Sequence, residues 1–86
     1  MELSELRVKI DELDVGIVKL LEERFSLIEE IIKVKDNQGL KIEDKKREEE
    51  IIEKLSSSNL DKEMIKEIYS IIFRYAKNAQ NNSLQE

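Results

Sequence analysis

Cysteine, histidine and proline are all absent from the 86 residues, and glycine occurs only twice. Without Cys there is neither a disulfide framework nor a thiolate metal site. Without His, the commonest metal ligand and the usual general base near neutral pH are both gone. With no Pro and two Gly, almost nothing interrupts a helix, and the surplus of Glu, Lys, Leu and Ile favours one, so the expected fold class is all-α. No apolar run is long enough to span a membrane and no signal-peptide pattern opens the chain, which leads to the expectation of a cytoplasmic, soluble protein. A formal charge of -5 disfavours nucleic acid or an anionic membrane as the main partner, so any anion site has to be local. At 41% charged and 40% hydrophobic residues, the chain holds enough apolar material for one domain over residues 1–86, with a thin core that leaves a lone monomer marginal.

The apolar residues present follow a heptad from Leu3 to Val34. One column reads Leu3, Ile10, Ile17, Arg24, Ile31; the other reads Leu6, Leu13, Leu20, Leu27, Val34. This predicts a first helix over about residues 4–36, capped by Ser4 with Leu3 and Val8 as a staple, and stopped at Gly39. A second helix is predicted over about 44–56 with Asp44 as N-cap, ending at the Ser-Ser-Ser-Asn loop. A third is predicted over about 61–80, stapled by Leu60 and Ile65, with an inward stripe of Ile65, Ile68, Tyr69, Ile72, Ala76 and Ala79 that ends at Gln80. The tail 81–86 is expected to fray. A first helix of roughly 32 residues spans about 48 Å, whereas a compact chain of this length has a gyration radius of about 12 Å. Its apolar face cannot be covered within one chain, which points to an intertwined homodimer.

Several polar groups face the wrong way for a plain core. Arg24 fills a heptad core position, and Lys35 follows about three turns later on the same face, about 16 Å along the axis. Long side chains at these two positions can converge on a small anion, and neither has a carboxylate one helical turn away. On the second helix Asp44, Arg47 and Glu48 continue the line of Ile51, Ile52 and Leu55. Arg7 sits in the first turn of its helix, where a cation opposes the macrodipole. It lies about 25 Å from Arg24 and is rotated from it by about 260°, so only an antiparallel partner helix could bring another chain's Arg7 to the same ligand. Each residue also has a structural reading: Arg24 as a register-fixing or snorkelling arginine, Arg7 as a solvated one, 44–48 as a charged first turn, Gln80 as a surface amide. Together they describe a pocket with several cations, one inward carboxylate and an amide, but no nucleophile beside a base. That suits a small polyanion better than proton-transfer or covalent chemistry.

The motifs Leu3-Ser4-Glu5-Leu6-Arg7, Ile10-Asp11, Leu13-Asp14, Glu23-Arg24, Lys33-Val34-Lys35, Asp44 to Glu48, and Gln80 resemble those of the all-α, type II chorismate mutases over almost the whole chain. The resemblance implies an intertwined dimer of three-helix chains that converts chorismate to prephenate by a Claisen rearrangement, with no cofactor and no metal. It implies that Arg24 and the partner's Arg7 bind the substrate carboxylates, helped by Arg47 and the backbone near Asp44. Glu48 would accept a hydrogen bond from the ring hydroxyl, and Lys35 and Gln80 would meet the ether oxygen. Ala76 stands where relatives often carry Ser, so one hydroxyl contact to a carboxylate is missing, worth about 1 kcal/mol. An amide at position 80 needs no protonation to donate, from which activity nearly constant between about pH 6 and 8 is expected. Two other readings stand beside this one: an isochorismate-pyruvate lyase of the same fold, and a non-catalytic helical dimerisation or regulatory module. A free-standing enzyme and one domain of a fusion fit the ends of the chain equally.

Overall fold

A computed structural model describes residues 1–85, with side chains described as far as Asn82. It contains three helices: α1 (Leu3–Asn37), α2 (Lys45–Leu55) and α3 (Lys62–Gln85). None of the described helices is long and apolar enough to cross a membrane.

The start of α1 differs from the expectation. Its N-cap is Glu2, in extended conformation, whose carbonyl accepts the first helical bond from Leu6 N–H at 3.1 Å. No side chain caps it, and Ser4 is already inside the helix. The exposed N-terminus leaves its free N–H groups to water, so a capping side chain is not required there. The other end stops at Gly39 as expected. Gly39 has φ of +70°, its N–H donates to Asp36 O at 3.1 Å, and Leu40 N–H donates to Lys35 O at 2.7 Å. This pair of bonds is a Schellman motif, which needs a residue in the left-handed region.

Asp44 caps α2, its Oδ1 accepting from Arg47 N–H at 3.1 Å. Asp61 does the same for α3, accepting from Glu63 N–H at 2.7 Å. The third helix continues to Gln85, past the predicted stop at Gln80; Glu86 lies outside the described residues. Asn81, Asn82 and Ser83 are mediocre helix formers, each about 0.5 kcal/mol worse than Ala, and no Gly or Pro follows to break the helix.

Both other helices pack on α3. It runs antiparallel to α2 and in the same direction as the C-terminal half of α1, as the pairing of Arg24 with Tyr69 and Phe73, and of Asp36 with Gln80, shows. The core at these junctions is small, consisting of Ile32, Ile65, Ile72 and Ala76, together with the buried amide of Gln80. Ile68, expected to face inward, is largely exposed at 41%.

The N-terminal half of α1 projects beyond this core, giving a molecule of 54 × 27 × 15 Å with a gyration radius of 16.2 Å, against about 12 Å for a compact chain. Both heptad columns of this arm are exposed within the chain, Leu13 and Leu20 to 66%. Exposed apolar area on that scale marks an interaction face.

Candidate active site

A cavity of about 300 Å³ opens where the end of α1, the 38–44 connection, the first turns of α2 and the middle of α3 meet. Its polar lining comprises Arg24, Lys35, Glu43, Asp44, Arg47 and Glu48; its apolar walls are Ile28, Ile31, Ile42, Ile51, Phe73 and Ala76. Residues separated along the sequence converge because three local features place them. Helical spacing puts Arg24 and Lys35 on one face of α1, the Gly39 turn reverses the chain, and the Asp44 cap starts α2 with Arg47 and Glu48 in its first turn.

Arg24 is half-buried. Its guanidinium lies 5.8 Å from the centre of the Tyr69 ring and 5.9 Å from that of Phe73, and those two rings pack against each other at 5.7 Å. Its Nη1 is buried without a hydrogen-bond partner. Aromatic faces attract a cation electrostatically but accept no directional N–H bond, so the guanidinium is held in place while retaining unused donor capacity. Phe73 and Tyr69 were not among the predicted site residues. The signal available in the sequence was their i, i+4 spacing on the inward face of α3.

Lys35 Nζ donates to the carbonyl of Lys41 at 3.2 Å, so the connection holds the ammonium at the cavity. Arg47 is exposed at the rim, with Nη1 3.8 Å from Glu50, a weak surface pair. Asp44 is also exposed, its side chain engaged in the cap. Neither points into a core; both line an open rim. Glu48 is half-buried, and burial pushes its carboxyl above the ordinary carboxylate value. The charges of Glu43 and Asp44 push the same way, partly offset by Lys45 and Lys77. Ala76 lines the cavity wall at 6% exposure and presents only a methyl group.

Two predicted residues are not brought to the cavity lining. Arg7 is exposed on the projecting arm of α1. Gln80 is buried behind the 38–42 segment: its Nε2 donates to Asp36 Oδ1 and to Leu40 O, each at 3.0 Å, and its Oε1 accepts from Ile42 N–H. Both amide hydrogens therefore have protein partners in the chain without ligand. Glu43 is a cavity residue that sequence reasoning missed. Its Oε2 accepts from Lys77 at 2.9 Å, and this contact holds its carboxyl below the ordinary value.

A larger groove of about 660 Å³ between α2 and α3 is less suited to an anion. Three of its cations, Lys62, Lys66 and Lys77, are already paired with Glu53, Glu63 and Glu43, and the other two, Lys45 and Arg74, share the lining with Glu48 and Glu49.

The chain matches the family model for chorismate mutase type II over residues 6–81, which takes in all eight predicted site residues. It belongs to the type II chorismate mutase family. Among its relatives, a chorismate mutase of Methanocaldococcus jannaschii is 34% identical over 99% of this chain and 90% of its own length. A bifunctional chorismate mutase/prephenate dehydratase of Aquifex aeolicus is 40% identical over 84% of this chain, which covers 18% of that longer protein. Family and relatives support an isomerase with chorismate mutase activity, over the lyase and the non-catalytic module. In a chorismate mutase the scarcity of nucleophiles and bases around this cavity is no deficit, because the rearrangement breaks one C–O bond and forms one C–C bond without moving a proton.

Proposed function

We propose that the cavity binds the chorismate dianion in a folded, chair-like geometry and rearranges it to prephenate, with Arg24, Lys35, Arg47 and Glu48 as the residues that touch it. The observation that carries this reading is the half-buried Arg24, fixed on two aromatic rings with a buried nitrogen still unpartnered, at the mouth of a cavity that also holds Lys35 and Arg47. Arg24 binds one carboxylate through charge-assisted bonds, supported by Arg47 and by the backbone at the α2 N-terminus, where the helix dipole favours an anion. Glu48 accepts from the ring hydroxyl and fixes the ring's orientation. Lys35 donates to the ether oxygen as that atom gains negative charge, the kind of donor whose loss typically reduces the rate about 10²- to 10³-fold. Holding the reacting carbons together removes conformational freedom before the bond change, a second source of rate.

The second carboxylate is met by the partner's Arg7. This half of the reading is supported by the exposed heptad face of the α1 arm, which another copy of the chain covers in an intertwined homodimer. The arm carries Arg7 away from its own cavity, so each site is completed in trans.

Offering chorismate and isochorismate separately and identifying the products tests this. Prephenate from chorismate is expected. Pyruvate release from isochorismate, with chorismate untouched, would move the chain to the lyase class. No turnover of either, together with an unchanged melting temperature at chorismate concentrations far above any plausible dissociation constant, would leave only a structural module. A ligand at 100 times its dissociation constant adds about 2.7 kcal/mol.

A further inference from the structure

The charged lining of the cavity is balanced: Arg24, Lys35 and Arg47 stand against Glu43, Asp44 and Glu48, three cations to three carboxylates. For a dianionic ligand each of those acids is a liability. A carboxylate beside the ligand repels it, and one that reaches a cation takes the place of a ligand carboxylate. Asp44 is engaged locally, its Oδ1 accepting from Arg47 N–H in the α2 cap. Glu48 has the ring hydroxyl to receive. Glu43 has no task of this kind. It lines both the cavity and the groove between α2 and α3, whereas Lys77 lines the groove and not the cavity. Glu43 Oε2 accepts from Lys77 Nζ at 2.9 Å, against 3.4, 3.6 and 3.8 Å for the pairs Lys66–Glu63, Lys62–Glu53 and Arg47–Glu50. Its side chain is 31% exposed, against 56–81% for the acids of those three pairs, so water competes less for this bond. The bond from Lys77 and its charge hold the Glu43 carboxyl below the ordinary value, with lesser help from Lys45 and Lys41. Released from Lys77, this carboxylate would find in the same cavity the ammonium of Lys35 and the guanidinium of Arg24, whose buried Nη1 has no partner.

We propose that Lys77 is a positioning residue for substrate binding: it holds the Glu43 carboxylate toward the α2–α3 groove, which keeps an internal acid off Arg24 and Lys35 and leaves those cations open to the carboxylates of the substrate. Lys77 acts through Glu43 and touches no substrate itself. The inference rests on reading the cavity as the chorismate site.

A double-substitution cycle on the full chain tests this. Lys77→Met, Glu43→Gln and the two together are assayed for kcat and KM on chorismate, beside Lys77→Arg as the conservative variant. Lys66→Met is the control, since it removes a lysine of the same groove that is paired with Glu63 instead. Lys77→Met should raise KM about threefold to fivefold and leave kcat within about twofold of the wild type, the scale of one partly exposed charge pair that acts on binding. Glu43→Gln should not raise KM, and in its background Lys77→Met should change KM by less than about 1.5-fold. Lys77→Arg should keep KM near the wild type, and Lys66→Met should leave it unchanged. The same rise from Lys77→Met with and without Glu43 would make Lys77 a direct ligand of the substrate and overturn the proposal. An equal rise from Lys66→Met would reduce the effect to net charge, and an unchanged KM in Lys77→Met would remove it; either refutes the role of Lys77. A wild type inactive on chorismate would sink the functional reading before the cycle is reached, whereas an active wild type with a flat cycle overturns the role of Lys77 alone.

Discussion

Arg24 is the residue on which sequence and structure agree most closely, and the agreement has a physical limit. A cation in a heptad column is visible as a break in a pattern, so its inward position was legible. What holds it was not, because the Tyr69 and Phe73 rings belong to another helix and only the packing of α3 brings them under the guanidinium. Arg24→Lys keeps the charge but loses the planar fork and much of the ring contact. It should lower kcat/KM by about tenfold to a hundredfold, the equivalent of about 1.5–3 kcal/mol of charge-assisted bonding, with helical content unchanged by circular dichroism. Glu48 supplies a second prediction at this scale. In the proposed role its ionised form is the stronger acceptor for the ring hydroxyl, and burial, with help from Glu43, raises its pKa. Activity should therefore fall on the acid side at a higher pH than an unperturbed glutamate at this position would give. The effect on stability runs the opposite way. A carboxyl whose folded pKa is raised favours the protonated folded state, so its contribution to stability declines as pH rises from the unfolded value through the folded one. Glu43→Gln removes a like charge and frees Lys77, so the acid limb of kcat in this variant should move to lower pH. An unmoved limb would mean that Glu48 is not the group titrating.

Among the elements, the 38–44 connection matters most to the site and was the least legible. Its ends were readable: Gly39 as a helix stop and Asp44 as a cap are local chemistry, and both occur as expected. Its middle was not, since Leu40, Lys41 and Ile42 act through backbone groups that carry no side-chain signature. The same limit applies to the partners of Gln80 in the chain without ligand. Its type and position were visible, but the partners that occupy it are main-chain atoms and a carboxylate at the far end of α1. Gly39 offers a direct probe of this element. An added Cβ would meet nothing within 4 Å, so the effect of Gly39→Ala is backbone strain at φ of +70° alone. The expected loss is about 1 kcal/mol in denaturant unfolding, with Gly39→Asn closer to the wild type because Asn tolerates the left-handed region. A loss of similar size, about 1 kcal/mol, is expected for Asp44→Ala from the missing cap. Of the two, Asp44→Ala should also raise KM if the cavity is the substrate site, since it loosens the helix end that lines that cavity. Equal KM values would separate the cap from binding.

At the scale of the whole molecule, the chain is an arm attached to a small core. The few buried apolar residues all lie at the junctions with α3 or in the second half of α1, while the first half of α1 carries Leu3, Leu6, Ile10, Leu13 and Ile17 into solvent. The heptad predicted a covered face, and within one chain nothing covers it, because a helix of 35 residues is longer than the rest of the molecule can reach. This geometry separates Arg7 from the cavity of its own chain and makes cross-chain complementation the decisive measurement. Arg7→Ala and Lys35→Ala should each be inactive alone. In a mixed dimer of the two, one site combines both defects and is dead, while the other receives an intact Arg7 from the Lys35→Ala chain and an intact Lys35 from the Arg7→Ala chain. Random re-association of equal amounts puts about half of the dimers in this mixed form, each with one working site of two, so recovery of about a quarter of wild-type activity per chain is expected by probability. Recovery should require unfolding and refolding together, because intertwined chains exchange slowly once formed. If refolded mixtures stay inactive while analytical ultracentrifugation shows mixed dimers, the two sites do not share Arg7. If the chain sediments as a monomer with full activity, the exposed face of α1 needs another occupant and the second carboxylate another partner.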